Sequence, residues 1–239
     1  MRGHKNDCLV CGKPLHYFEV PKELECVFCH KTFLSQTACE DGHYVCDACH
    51  SAQGIQTIRD YCLSSASCDP IAMAVDIMKT PYIYMHGPEH HVLVGAVLLT
   101  AYKNSGGKVN FADALEEITA RGREIPGGAC GFWGVCGAAV SAGIYVSVIT
   151  EATPLTNDSW ALSNQMTSEA LAAIASVGGP RCCKRDSFLA IEAAAAFTSC
   201  HFDVNLSMPE QIICQFARFN HECIGRRCPY IPRTRKKEA

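Results

Sequence analysis

Charge is the first thing this sequence is short of. Asp, Glu, Lys and Arg make up 19% of its 239 residues, and the formal net charge is only -3. Such a balance creates no global field that would gather nucleic acid or an anionic membrane surface, so neither is expected as a partner. A long apolar run is also missing: the longest, residues 92–101, is about half of what a bilayer-spanning helix requires. Residues 1–7 are polar and charged with no apolar stretch behind them, so no export signal is expected and a cytoplasmic location is. Sustained alternation of apolar and polar residues is absent outside the first fifty residues, which argues against a sheet-based main domain. No internal repeat is visible. No set of nucleophile, base and orienting residue can be read from the spacing.

Cysteine is what the sequence has in excess, at 17 residues. A secreted disulfide scaffold would be shorter and would carry an export signal. In a reducing compartment, so many thiols point to metal, iron–sulfur or redox chemistry. Cys62, Cys68, Cys200 and Cys214 lie singly in apolar-patterned segments and read as small buried hydrophobes.

The expected fold class is mainly α: an N-terminal zinc-binding module over residues 1–50, then an all-α multi-helix domain over residues 51–230. A basic tail, residues 231–239, closes the chain. Helix signals follow one another through the second zone. Residues 52–64 are amphipathic. Asp69-Pro70 is a cap followed by proline at the first helical position, opening a helix that stops before Pro81. Pro88 opens a strongly apolar helix ending at Gly106-Gly107, and Asn110 caps one closing at Gly122. A small-residue apolar stretch runs from Cys130 to Thr150, and a helix starts at Thr156 or Asn157 and ends at Gly178-Gly179. Pro180 begins the next, and Ser207 with Pro209 and Glu210 resembles a capping box that starts the last.

In the first zone, Cys8-Leu-Val-Cys11 and Cys26-Val-Phe-Cys29 are two CxxC pairs separated by fourteen residues. Two thiolates three apart on a tight turn can share one tetrahedral ion, and the intervening sequence can form a hairpin. Gly12 supplies the permissive backbone such a turn needs. Cys39, His43, Cys46 and Cys49 add four ligand-type residues, so that eight ligands would saturate two zinc ions. Sequential and interleaved use both satisfy the spacing. In the interleaved arrangement Cys8, Cys11, Cys39 and His43 share one ion, and Cys26, Cys29, Cys46 and Cys49 the other. His30 and His50 are spare candidates.

Three features stand out in the helical zone. In Pro126-Gly-Gly-Ala-Cys130-Gly-Phe-Trp-Gly-Val-Cys136-Gly-Ala-Ala-Val-Ser-Ala-Gly143, so many glycines imply close approach of the backbone to a neighbour or ligand. Cys130 and Cys136 would lie about 120° apart on one ideal helix, so they serve one site only if Cys130 precedes that helix. In Gly178-Gly-Pro-Arg-Cys182-Cys183-Lys-Arg, both cysteines are expected in the first turn of a helix. There the free N–H groups, with Arg181, Lys184 and Arg185, would favour a thiolate. Cys223-Ile-Gly-Arg-Arg-Cys228-Pro229 ends as some iron–sulfur ligand runs do. Together Cys130, Cys136, Cys182, Cys183, Cys223 and Cys228 could supply three or four thiolates to one iron–sulfur or other cofactor centre; packing of buried thiols is the alternative. His86-Gly-Pro-Glu89-His90-His91 offers ligands or a proton-exchanging His90 near those thiols, or plain helix-start residues. Arg121 and Arg123 meet an anionic group or cover a helix end.

These motifs carry two resemblances. Cys136-Gly-Ala-Ala-Val-Ser-Ala-Gly is distantly similar to the Cys-Gly-Ala motif of the redox-linked C-GCAxxG-C-C family, with Ser141 where a second glycine is usual. A closer resemblance, covering nearly all of the chain, is to an uncharacterised Cys-rich family of anaerobic bacteria and archaea. It rests on the CxxC start, Cys-Glu-Asp-Gly-His-Tyr-Val-Cys-Asp-Ala-Cys-His, His-Gly-Pro-Glu-His-His, Cys-Gly-Phe-Trp-Gly-Val-Cys-Gly-Ala-Ala and Gly-Gly-Pro-Arg-Cys-Cys-Lys-Arg. Members accompany methyltransferase or radical-SAM proteins, which implies a metal- or cofactor-centred role.

The leading expectation is thus a cytosolic metalloprotein with structural zinc and a second cysteine centre, an iron–sulfur cluster or redox thiols. It would serve a larger enzyme or complex as an electron-, sulfur- or cluster-handling accessory, acting through Cys182 or Cys183 with Cys130 or Cys136. One alternative is a zinc-dependent adaptor that docks protein or RNA without redox chemistry, which the basic tail supports slightly. The other is a thiol-dependent hydrolase or transferase with His90 as base.

Overall fold

The computed structural model describes residues 8–232; the basic tail from Arg233 onward lies outside them. The chain is mainly α, with one small sheet at its start. Strands β1 (Leu15–Glu25) and β2 (Thr32–Cys39) form an antiparallel hairpin whose register runs from Leu15 opposite Cys39 to Glu25 opposite Thr32. An irregularity between Tyr17 and Lys22 takes up extra residues of β1. The sheet is two-stranded and largely exposed, so it buries too little to be stable by itself.

Helix α1 (Asp47–Ser64) begins earlier than its apolar periodicity suggests, within the last cysteine pair. Helix α2 (Pro70–Met78) starts where the sequence indicates, with Asp69 Oδ1 accepting the Ala72 N–H at 2.9 Å. Helix α3 (His90–Asn104) is the central rod: every residue from 92 to 102 is buried, as expected of a helix that is apolar all round. It packs against α1, α2, α4 (Phe111–Arg123), α6 (Gly137–Ile149) and α8 (Cys183–Phe202). A single turn, α5 (Ala129–Phe132), precedes α6, and α7 (Asp158–Val177) covers α6 and α8 from outside.

Helix α8 does not begin at Pro180. A cis Gly179-Pro180 bond precedes an extended stretch, Cys182 is the capping residue and Cys183 the first helical one. The helix expected from Ser207 is absent as well. Backbone groups that such a helix would use are tied elsewhere. The Ser207 N–H goes to Cys68 O at 2.9 Å and the Cys214 N–H to Tyr230 O at 2.8 Å. Beyond α8 the chain is irregular, with two 3-10 turns, Ala217–Phe219 and Gly225–Arg227. Among the described residues no helix is long and apolar enough to cross a membrane.

In the 126–143 stretch Gly127, Gly137 and Gly143 are closely packed, whereas Gly128 and Gly134 take positive φ. A Cβ on Gly143 would stand 2.9 Å from the Ser163 carbonyl of α7 and would overlap Thr167. By contrast, a Cβ on Gly131 would meet nothing within 4 Å. Gly143→Ala should therefore cost about 1–3 kcal/mol through a forced shift of α6 against α7, visible as a lower melting temperature. Gly131→Ala should melt at or above the parent temperature, and equal effects of the two substitutions would refute this account of the packing.

Candidate metal centres and the cysteine-lined cavity

The N-terminal ligands converge as two interleaved sets. Cys8, Cys11, Cys39 and His43 have ligand atoms all within 4.8 Å of one another, and so do Cys26, Cys29, Cys46 and Cys49. Hairpin register causes the interleaving: with Leu15 opposite Cys39, the turn before β1 lies beside the chain leaving β2. Each CxxC pair sits on a tight turn. Gly12 N–H returns to Cys8 O at 2.8 Å, and His30 N–H to Cys26 O at 2.9 Å. Gly12 takes φ +75°, the conformation glycine permits, and His30 occupies the matching position of the second turn at φ +57°. His30 therefore serves the turn and meets Glu25 at 3.0 Å, outside either ligand set. His50 points the other way, into the helical domain.

The geometry suits a tetrahedral thiophilic ion. With metal–sulfur bonds of about 2.3 Å, ligand sulfurs stand about 3.8 Å apart. Here Cys11 and Cys39 are 3.6 Å apart, Cys29 and Cys46 3.8 Å, and His43 Nδ1 lies 3.5 Å from the Cys39 sulfur. Backbone N–H groups already point at two of the sulfurs, Asp41 to Cys39 at 3.2 Å and Cys46 to Cys26 at 3.3 Å. Desolvation opposes ionisation, yet such N–H groups bring Cys26 down to about 6 and Cys39 to about 7. Cys49, held by desolvation and by its sulfur neighbours, is pushed up to about 12. Bare thiols crowded in this way cannot all ionise; a divalent ion among them removes that conflict.

The six helical-domain candidates do not form a third set of that kind among the described residues. Five of them divide between two places, and Cys183 lines neither. Cys130, on α5, and Cys136, capping α6, line a cavity of about 630 Å³, whose walls also include Tyr17, Arg181, Asp186 and Glu222. The turn between α5 and α6, with Gly134 at φ +70°, lets two cysteines six apart reach one space. Tyr17 belongs to the hairpin, and its hydroxyl accepts from Arg181, so the metal module supplies one wall. Cys182, Cys223 and Cys228 line a second, smaller pocket with Cys214. Cys214 is therefore not the isolated core thiol that a helix around it would have made it.

The expectation of a low-pKa sulfur at the start of α8 is reversed. Burial pushes the Cys182 thiol up to about 11 and that of Cys183 higher still, against the lowering by Arg185 and Arg181 respectively. Burial, with Asp186 nearby, also pushes Cys136 up to about 12. Desolvation outweighs the helix terminus at these positions. Arg121 takes both expected parts, bonding Glu117 at 2.7 Å and Ser147 at 2.9 Å near the end of α4.

His90 lines neither cavity. It is buried, its Nδ1 donates to Gly87 O at 3.0 Å, and its Nε2 has no partner. Glu89, fully buried beside it, accepts the Tyr84 N–H at 2.9 Å and faces His50 at 3.7 Å. Burial would raise the Glu89 carboxyl, but His50 and His90 hold it below its ordinary value. These groups form a polar seam between the module and the helical core.

Burial of these groups has two measurable effects. Cys136 should alkylate at pH 8 roughly a hundredfold or more slowly than an ordinary exposed cysteine; a rate within a few-fold of one would contradict the burial argument. Burial also lowers the His90 pKa from 6.5 to about 3. The unfolded chain then binds a proton that the folded chain refuses between those values, so stability falls as pH drops below 6.5. Denaturant titrations should show a loss on the order of 2 kcal/mol from this residue between pH 6.5 and 5. His90→Gln should flatten that slope, and an unchanged slope would exclude His90 as its source.

Residues 58–231 match a family of unknown function (DUF5714). That span holds every cysteine of the helical domain and begins after both N-terminal ligand sets. No curated protein matches the chain, and no solved structure does. With most of its length matched, the chain belongs to the DUF5714 family, one whose function is unknown.

Proposed function

We propose that this chain is a zinc-scaffolded accessory protein whose cysteine-lined cavity handles a metal, sulfur or cluster cargo for a larger enzyme. The observation that carries the reading is the pair of interleaved ligand sets, spaced for tetrahedral ions, in a module whose Tyr17 lines the cavity. Zinc held by three thiolates and an imidazole, or by four thiolates, supplies folding energy and leaves no coordination position open for a substrate. The chemistry then belongs to the cavity. Cys130 and Cys136 present thiols, and Arg181, braced on the Tyr17 hydroxyl, presents a cation to an anionic group of the cargo. A thiol held as high as Cys136 exchanges poorly with disulfides at neutral pH but still ligates a soft metal, which displaces the proton directly. Ligation is therefore favoured over thiol–disulfide exchange.

Phe132 and Trp133, beside Cys130, are 47% and 69% exposed. Such aromatic surface supports docking onto a protein partner, a methyltransferase- or radical-SAM-type enzyme being the class the motifs imply.

Metal analysis of anaerobically purified chain tests the scaffold. Two zinc ions per chain are expected, with Cys8→Ser and Cys26→Ser each losing about one and chelation loosening the hairpin. A chain that keeps its near-UV signal and proteolytic resistance at zero zinc would overturn the proposal.

A further inference from the structure

The second pocket brings together four cysteines from distant parts of the sequence. Cys182 comes from the cap of α8, and Cys214, Cys223 and Cys228 from the irregular chain after that helix. Two of the sulfurs already accept N–H donors. Asn220 Nδ2 lies 3.4 Å from Cys182 Sγ, and Phe216 N–H 3.4 Å from Cys214 Sγ. Backbone donors stand in the same relation to Cys39 and Cys26 in the N-terminal sets. Such contacts orient thiolate ligands and stabilise their charge.

A second observation is electrostatic. Lys184 lines this pocket and is fully buried. Its ammonium donates to Tyr84 O at 2.8 Å and to Ile83 O at 3.4 Å, and lies over the Phe216 ring at 5.2 Å. No carboxylate lies within ion-pair distance of it among the described residues; Glu89 exerts the largest favourable influence on its charge from farther off. A buried ammonium without an anion is costly. Four thiolates around Zn²⁺ or around a [4Fe–4S]²⁺ core leave a net charge of about -2, which adds counter-charge beside the buried ammonium.

The third observation is the chain itself. After α8 there is no α-helix as far as residue 232, yet Leu206, Ile212, Phe216, Cys228 and Tyr230 are buried. Fixing irregular backbone costs conformational entropy, and a metal cross-link is one way to offset that.

We propose that Cys182, Cys214, Cys223 and Cys228 are the four ligands of a third metal centre, distinct from the N-terminal sets and from the 630 Å³ cavity. On binding, each thiol releases its proton to solvent and the metal takes the four sulfurs. The occupant is a thiophilic metal group, a zinc ion or an iron–sulfur cluster. The sulfurs do not close to within 4.8 Å as those of the N-terminal sets do. Cys183, next in sequence to Cys182, is excluded: it takes the Gly87 N–H and does not line the pocket.

The test compares the full chain with Cys214→Ser, Cys223→Ser and, as control, Cys200→Ser at an exposed thiol. Each is purified anaerobically and also reconstituted with iron and sulfide. The expected result is metal beyond the N-terminal zinc, with absorption near ~400 nm and matched iron and sulfide for a cluster. That excess should be lost in the first two variants and kept in the control. A third zinc lost in the same pattern also supports the centre and assigns it a single ion. Mass-spectrometric labelling of the parent chain guards against misfolded variants, since Cys214 and Cys223 should resist maleimide until the metal is removed. The proposal is overturned if neither preparation holds excess metal, if the excess survives both variants, or if labelling is the same with and without metal. Because the N-terminal zinc is counted separately, its loss and the loss of this centre are distinguishable.

Discussion

The first turn of α1 belongs to two structures at once. Cys46 caps the helix and Cys49 lies in its first turn, and both are members of the second ligand set. Between and beside them, Asp47 accepts the Gly127 N–H at 2.6 Å, and His50 faces the buried Glu89 of the helical core. The helix then continues to Ser64, burying Ile55, Ile58 and Cys62 against its neighbours. Metal ligation, the placement of the glycine-rich loop before Cys130, and core packing are thus carried by one short rigid segment. The cavity depends on this joint, because the hairpin can offer Tyr17 to Arg181 only if its base is fixed relative to α1.

Desolvation governs the rest of the chemistry. A helix terminus and neighbouring arginines favour thiolates, but they act on Cys182 and Cys183 through groups that are themselves buried or paired. Arg185 is engaged with Asp186 at 2.9 Å and with Pro180 O at 3.0 Å. Their remaining influence cannot compensate for taking a charged sulfur out of water. The same balance keeps His90 neutral and brings Lys184 down to about 8.

Local signals were readable in the sequence, and long-range ones were not. Asp69-Pro70 announced α2, Asn110 the start of α4, and Gly12 the turn after the first cysteine pair, because each acts on its own neighbours. The eight ligand residues were visible from CxxC and CxxxHxxC spacing. Their sorting into sets was not, since it depends on the register that puts Leu15 opposite Cys39. Ser207-Met-Pro-Glu has the composition of a helix start, but its backbone is bonded to Cys68 instead, and the false helix hid the company that Cys214 keeps. Cys130 and Cys136 meet through a turn that helical periodicity alone does not describe.

Interleaving has a consequence for the order of assembly. The first set lacks its last ligand until His43 has been made, and the second until Cys49 has been made. A nascent segment containing only the two CxxC pairs cannot complete either interleaved set. The whole module must be present, with its strands paired, before either site closes, and each closure shortens the loop the other must close. If the two sets hold ions, metal uptake and hairpin formation would be one cooperative event, finished just as the first turn of α1 becomes available to receive it.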